Sequence, residues 1–347
     1  MKVVISSYSF LPDIGGVATV QSVLASGFIR AGYDVTVVTT APGPTTGYGY
    51  RVVRNPGPLE LTRLYTEADI LILANLSIKL FYPLLFLRRP FGLHHHSESA
   101  ARLSHSWISV DLLRRSILHR AINFVASAYL GRKIGVMHHV LYPFANPEHI
   151  TPAVKMPVKE RRGAIFVGRI EEEKGILYLL DRWPAVREIL GVDELRIVGD
   201  GALRPEIEAI IATGKAPGVR YVGRLSLAET AQEMGRAAYA LVPSLWAEPF
   251  GTVALEALAA GAMVVLSNRG GMSEGTGDLG FVFDPDDEKD FESALVRARR
   301  LRESLLSSDE ERANYDAAVA RHIARFSPEV AIPEIVGVFE RNSRGSE

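Results

Sequence analysis

The sequence predicts an α/β protein built from two doubly wound parallel-sheet domains, and three observations carry that expectation. The chain has 347 residues, more than one typical hydrophobic core organises. Short, continuously apolar runs alternate with helical stretches, the mark of parallel strands covered on both faces. The alternation stops at a proline-bearing connection and then starts again.

Val3-Val4-Ile5-Ser6 is the first run, apolar enough for a fully buried strand. An amphipathic stretch from Thr19 to Ala31 follows, closed by Gly32, a residue suited to ending a helix. Asp34-Val35-Thr36-Val37-Val38-Thr39 and Ile70-Leu71-Ile72-Leu73 read as further strands. From Tyr142 to Arg162, prolines at 143, 147, 152 and 157 mark a linker. The second series comprises Ala164-Ile165-Phe166-Val167, Leu195-Arg196-Ile197-Val198, Val219-Arg220-Tyr221-Val222, Tyr239-Ala240-Leu241-Val242 and Met263-Val264-Val265-Leu266. The expected domains are therefore 1–150 and 160–325. Beyond Phe326, the apolar residues Val330, Ile332, Ile335, Val336, Val338 and Phe339 predict a helix within 328–347 that needs a partner and crosses back to the first domain.

Hydrophobic content of 47% and charge of 23% are ordinary for a soluble globular chain. Cysteine is absent, which excludes disulfides and thiolate-bound metals. No run of about twenty apolar residues predicts a membrane span. The start Met1-Lys2-Val3-Val4-Ile5-Ser6 lacks a cleavable signal pattern, so a cytoplasmic location is expected. The net charge of −1 hides an asymmetry: residues 1–150 hold 14 Lys and Arg against 8 Asp and Glu, or +6, leaving −7 for the remainder. Eight of the nine histidines also lie in the first part, which suggests different partners for the two halves.

The most informative segment is Glu248-Pro249-Phe250-Gly251-Thr252-Val253-Ala254-Leu255-Glu256. A helix opening at Thr252 would be apolar on every side except at Glu256, and a buried carboxylate needs a hydrogen-bonding partner such as a ligand hydroxyl. The amides of Phe250, Gly251 and Thr252 would lie at the positive end of that helix, a ready anion site. Glu248 sits just before the turn. The alternative is a capped helix with two solvated glutamates. Other loops fall at strand ends, where open parallel sheets bind ligands. Gly15-Gly16 follows the first strand, although such a turn is often only a turn. Gly168-Arg169 and Lys174-Gly175 bracket a loop in which two cations can turn toward one anion, against the alternative of a solvated charge run. It lacks the Gly-Lys-Ser/Thr ending of a Walker loop. Gly199-Asp200-Gly201 and Gly270-Gly271-Met272-Ser273-Glu274 complete the set.

Together these motifs resemble retaining glycosyltransferases of family 4, with the Glu-x7-Glu signature at Glu248 and Glu256, and the resemblance covers nearly the whole chain. It implies the GT-B fold, two Rossmann-like domains facing across a cleft, with an acceptor in the first and a nucleotide-diphosphate sugar in the second. It implies donor-sugar contacts for Glu248 and ribose contacts for Glu256. Phe250, Gly251 and Thr252 amides, with Arg169 and Lys174, would hold the diphosphate. Gly15, Gly16, Gly168 and Gly199 would line the donor site, and Arg224 and Leu225 would lie by the base. The family's N-domain histidine falls within Pro90-Phe91-Gly92-Leu93-His94-His95-His96-Ser97, and counting from Pro90 selects His96. Adjacent histidines on a strand rarely converge on one metal, and zinc-site spacings are missing, so no metal is expected.

The expected reaction is a retaining, metal-independent sugar transfer, with Arg169, Lys174 and the helix end stabilising the departing diphosphate. No further cofactor and no nucleic-acid partner is expected. The acceptor would be a carbohydrate or a lipid-linked sugar. The aromatic-basic run from Leu80 to Arg89, and the stretch Leu112 to Val125 with Arg114, Arg115, His119 and Arg120, fit peripheral contact with an anionic membrane, or an ordinary core element with a solvated face. Competing functions are another GT-B enzyme, such as an epimerase or phosphorylase, and a non-catalytic nucleotide-sugar binder. The latter would be expected to have lost Glu248, Arg169 or Lys174, and all are present.

Overall fold

The computed structural model describes residues 1–12, 15–98, 115–145 and 156–344. The chain divides into two compact units, Met1–Phe144 with Phe326–Glu347, and Ala145–Arg325. Each is a parallel sheet covered by helices, as the continuous apolar runs require.

In the first unit the strands are β1 (Lys2–Ser7), β2 (Asp34–Thr39), β3 (Arg51–Arg54), β4 (Ile70–Ala74), β5 (Gly92–His95), β6 (Ile122–Val125) and β7 (His138–Val140). They pair in the order β3-β2-β1-β4-β5-β6-β7, every pair parallel. Alternating side chains build two cores. Val3, Ile5, Val35, Val37, Ile70 and Ile72 face one side, against the helix Gly16–Arg30. Val4, Val38, Leu71 and Leu73 face the other, against Leu61 and Leu64 of the helix Pro58–Glu67. The C-terminal helix Pro328–Arg344 belongs to the first of these cores through Ile332, Ile335, Val338 and Phe339. Gly27 lets it approach: a Cβ there would run into Pro328 and Ile332. An exposed Arg30–Glu329 pair at 2.9 Å adds little to that packing.

The second unit contains β8 (Arg162–Val167), β9 (Leu195–Val198), β10 (Val219–Gly223), β11 (Ala237–Val242), β12 (Met263–Ser267) and β13 (Phe281–Phe283). The order is β10-β9-β8-β11-β12-β13, again all parallel. Chain direction along the sheet reverses between β8 and β11. That switch point leaves a crevice at the carboxyl ends of these two strands.

The run from Leu80 to Arg89 is mostly core. Leu80, Phe81 and Leu84 are buried. Arg89 donates to the carbonyls of Tyr65 and Ala68 and so caps the end of the helix Pro58–Glu67. Arg120 likewise serves the Leu87 carbonyl at 3.1 Å. In the second segment Ile117 and Leu118 are core, His119 and Arg120 are exposed, and the stretch ends in the buried strand β6. Only Leu85, Phe86 and Arg88 of the first run point outward among its clearly apolar or basic members. Arg114 lies outside the described residues. No helix among the described residues is long and apolar enough to cross a membrane.

Candidate active site

The crevice of the second unit is assembled by four loops that hold one another through their backbones. The loop after β8 docks on the loop after β9: Gly168 N–H donates to Val198 O at 3.0 Å and Ile170 N–H to Asp200 O at 3.0 Å. Gly199 has φ +140°, and a Cβ there would overlap the Gly168 carbonyl, so glycine is required by both backbone and space. The same first loop reaches the loop after β11, where Leu245 N–H donates to Glu173 O at 2.9 Å. The loop after β12 closes the set, with Gly271 N–H donating to Glu248 O at 2.7 Å.

This scaffold brings Lys174 and Glu248 together at the switch point, although 74 positions separate them. Lys174 Nζ lies 2.8 Å from Glu248 Oε1, with side chains only 17% and 11% exposed. Ser244, itself buried, donates its hydroxyl to the same oxygen. Glu248 Oε2 takes no hydrogen bond among the described residues and remains available to a ligand hydroxyl. Lys174 also stands 5.5 Å from the centre of the Trp246 ring, a cation–π contact that steadies the ammonium. Arg169 pairs instead with Glu173 and is 62% exposed. With Trp246 and Leu245 it lines an open depression of about 500 Å³.

Phe250 is buried, packing beside Gly275, so only its backbone can serve a ligand. Gly251, at φ +74°, precedes the helix Thr252–Ala260, and a Cβ there would strike Met272. Gly251 offers no side-chain cap to this helix, whose first turn presents backbone amides that suit an anion. The helix is buried as expected, but Glu256, one turn in, is only half-buried. Arg224 and Leu225 follow β10, at the edge of the sheet and two strands from β8. Beside them, Tyr221 donates its hydroxyl to Gly199 O at 2.9 Å.

Gly15, Gly16 and His96 belong to the first unit. Gly15 precedes the helix Gly16–Arg30, which again has no side-chain cap. Asp13 and Ile14 of this turn lie outside the described residues. His94 and His95, on opposite faces of β5, are buried, whereas His96 follows the strand and is partly exposed. Burial holds His94 down to about 3, opposed in part by its bond to the Leu141 carbonyl. Burial also lowers His95, and His96 sits well below its ordinary value through burial and its two neighbours. No cluster of metal-binding side chains forms among the described residues.

Three contributors escaped sequence reasoning. Ser244 and Trp246 lie in the very loop that carries Glu248, but their roles depend on where Lys174 arrives. Gln21 was visible only as a polar residue on the inner face of an apolar helix.

Residues 161–300 match the family model of glycosyl transferases group 1. The chain is 31% identical over 203 residues to a phosphatidyl-myo-inositol mannosyltransferase of Mycobacterium leprae, covering 56% of this chain and 51% of that protein. It is 38% identical over 111 residues to a glycogen synthase of Mycobacterium tuberculosis, covering 32% and 27%. The chain thus spans about half the length, or less, of these curated relatives. Among solved structures, Anabaena HepE in complex with UDP and glucose superposes with a TM-score of 0.70 at 18% identity, covering 98% of this chain and 100% of that one. Sucrose-phosphate synthase from Thermosynechococcus elongatus gives 0.68 at 20% identity, with both chains covered completely. The fold is that of GT-B glycosyltransferases, and most of the second unit carries the sequence pattern of glycosyl transferases group 1.

Proposed function

We propose that the chain is a retaining, metal-independent glycosyltransferase that moves a sugar from a nucleotide-diphosphate sugar to a hydroxyl of a carbohydrate or lipid-linked acceptor. The observation that carries this reading is the Lys174–Glu248 pair at the switch point of the second sheet, beside an uncapped helix N-terminus. A carboxylate with one oxygen anchored and one open suits a sugar hydroxyl. A lysine and a row of amides suit a diphosphate. The bound UDP and glucose of HepE and the mannosyltransferase relative support a sugar-nucleotide donor.

In this mechanism Glu248 Oε2 orients the donor sugar, and Glu256 binds the ribose. Arg169 leaves Glu173 to join Lys174 and the amides of Phe250, Gly251 and Thr252 on the diphosphate. Gly168 and Gly199 line its path, and Arg224 and Leu225 lie by the base. These cations neutralise charge as the sugar–oxygen bond breaks, and the leaving phosphate oxygen takes up the acceptor's proton on the same face, which retains configuration. On the first unit, His96, Gly15 and Gly16 meet sugar hydroxyls, and its basic surface makes weak contact with anionic membranes.

Incubation with UDP-, GDP- and ADP-sugars and simple acceptors, followed by proton NMR, tests the reading. An α-linked donor should give an α-linked product. A β-linked product would refute retention, and failure to consume any donor would refute transfer.

A further inference from the structure

We propose that Gln21 is a positioning residue: its side-chain amide holds His94 and His96 in opposite tautomers, so that His96 presents Nδ1–H as a donor at the carboxyl edge of the first sheet. Gln21 is fully buried on the helix Gly16–Arg30. Its Nε2 lies 2.9 Å from His96 Nε2 and 3.4 Å from His94 Nδ1, and the two imidazoles are in contact, with ring centres 4.0 Å apart.

Proton counting fixes the arrangement. His94 Nε2 is 3.0 Å from the Leu141 carbonyl, an obligate acceptor, so His94 carries its proton on Nε2. Its Nδ1 must then accept, and Gln21 Nε2, with two hydrogens, is the donor it faces. The second hydrogen of the same amide goes to His96 Nε2, which must also accept. His96 is thereby left with its proton on Nδ1. No partner takes that N–H among the described residues.

Two further features support the assignment. Gln21 Oε1 is buried without a partner, and a flipped amide would find one only in a His96 Nε2–H, at the cost of its bond to His94. The only N–H of His94 is already committed to Leu141, so the flip would set oxygen against a lone pair. His96 is also anchored by its backbone, its N–H donating to Asn75 Oδ1 at 2.9 Å. His95 supplies an internal control. Its Nε2 is 3.0 Å from Asn123 Oδ1, whose Nδ2 donates to the Leu118 carbonyl at 2.8 Å, so His95 is an Nε2–H tautomer. One of three consecutive histidines thus differs in proton position, and Gln21 is the cause. A ligand oxygen at this edge meets a neutral donor rather than a base.

This role rests on the transferase reading only for its effect on catalysis, and the test separates the two. Long-range nitrogen–proton NMR of the full chain with labelled histidine should show Nε2–H for His94 and His95 and Nδ1–H for His96. Gln21→Leu, which removes both donors, should move His96 toward the Nε2–H form that free imidazole prefers. Gln21→Glu, which can only accept, should do so more completely. In both variants kcat should fall by about tenfold, the effect of one misoriented hydrogen bond, with nucleotide-diphosphate affinity unchanged. Wild-type His96 protonated on Nε2 overturns the proposal without any variant having to fold. Unchanged tautomers in the variants, or shifted tautomers with unchanged kcat, also overturn it. If the wild type consumes no sugar nucleotide, the transferase reading fails and the tautomers alone decide the role of Gln21.

Discussion

At the carboxyl edge of the second sheet, Lys174 and Glu248 meet as a charged pair, whereas at the same edge of the first sheet three consecutive imidazoles are held neutral. Both edges are partly desolvated. At the second, each charge has an opposite partner within hydrogen-bond distance. Among the described residues the partners of His94 and His95 are a carbonyl, the side-chain amides of Gln21 and Asn123 and other histidines, so burial disfavours the charge instead. The difference matches the two tasks proposed for them, neutralising a diphosphate on one side and orienting uncharged hydroxyls on the other.

The largest expected effect breaks the charged edge. Lys174→Ala and Arg169→Ala should each lower turnover by about 10²–10³, the cost of losing a preorganised stabiliser of developing charge. Steady-state kinetics with a saturating donor measures this. The Lys174 variant should also lose stability, because Glu248 would be left partly buried with Ser244 as its remaining partner. Equal effects on sugar recognition and turnover would assign both cations to uniform binding instead.

The neutral edge should break in acid. His94 and His95 have folded values below the ordinary 6.5, so their full contribution is present above about pH 6.5. As pH falls below that value the unfolded chain takes up protons that the folded chain refuses. Stability then drops by about 1.4 kcal/mol per pH unit per histidine until the folded values are reached, near 3 for His94. Hydrogen exchange at pH 5 should show amides of the first unit losing protection before those of the second. His138 faces His95 and opposes its charging, and His139, itself lowered mainly by burial, adds to the same trend. Simultaneous loss in both units would contradict the contrast.

Much of this was legible in the sequence. The strands predicted in both units are present, because a fully buried parallel strand shows itself by local composition alone. β3, β5, β6, β7 and β13 were not read from composition: all are short, Arg51 and Arg54, His94 and His95, Asn123 or His138 and His139 give four of them a polar look, and the apolar β13 is only three residues long. The segment 248–256 announced a site because an anion-binding helix end and two carboxylates are local features. What joins Lys174 to Glu248, or Gln21 to His96, is a tertiary meeting of loops and helices, and no local pattern encodes it. The aromatic-basic run from Leu80 suggested a surface for the same reason, since a sequence cannot tell that Arg89 will cap a distant helix.

Smaller effects sharpen the picture. Glu256→Ala should weaken nucleotide-sugar binding by about 1–3 kcal/mol in calorimetry, the range for a hydrogen bond to a charged group. Its half-buried position places the effect below that of the cations on turnover. Smallest of all should be membrane contact. Vesicles with anionic lipid should bind the chain weakly at low salt, and Arg88→Glu with Arg115→Glu should remove that binding without changing nucleotide affinity, each arginine contributing about 1 kcal/mol. Absence of binding to the wild type at low salt would favour an acceptor free in solution.

Above all, the charged edge of the second sheet is proposed to hold a nucleotide diphosphate. Calorimetric titration of the wild type and Lys174→Ala with UDP, GDP and ADP puts this to the test. One nucleotide should bind the wild type, its sugar conjugate should bind as well, and the variant should bind both more weakly. Binding of none of the three, or binding that Lys174→Ala leaves untouched, would contradict the assignment of this edge.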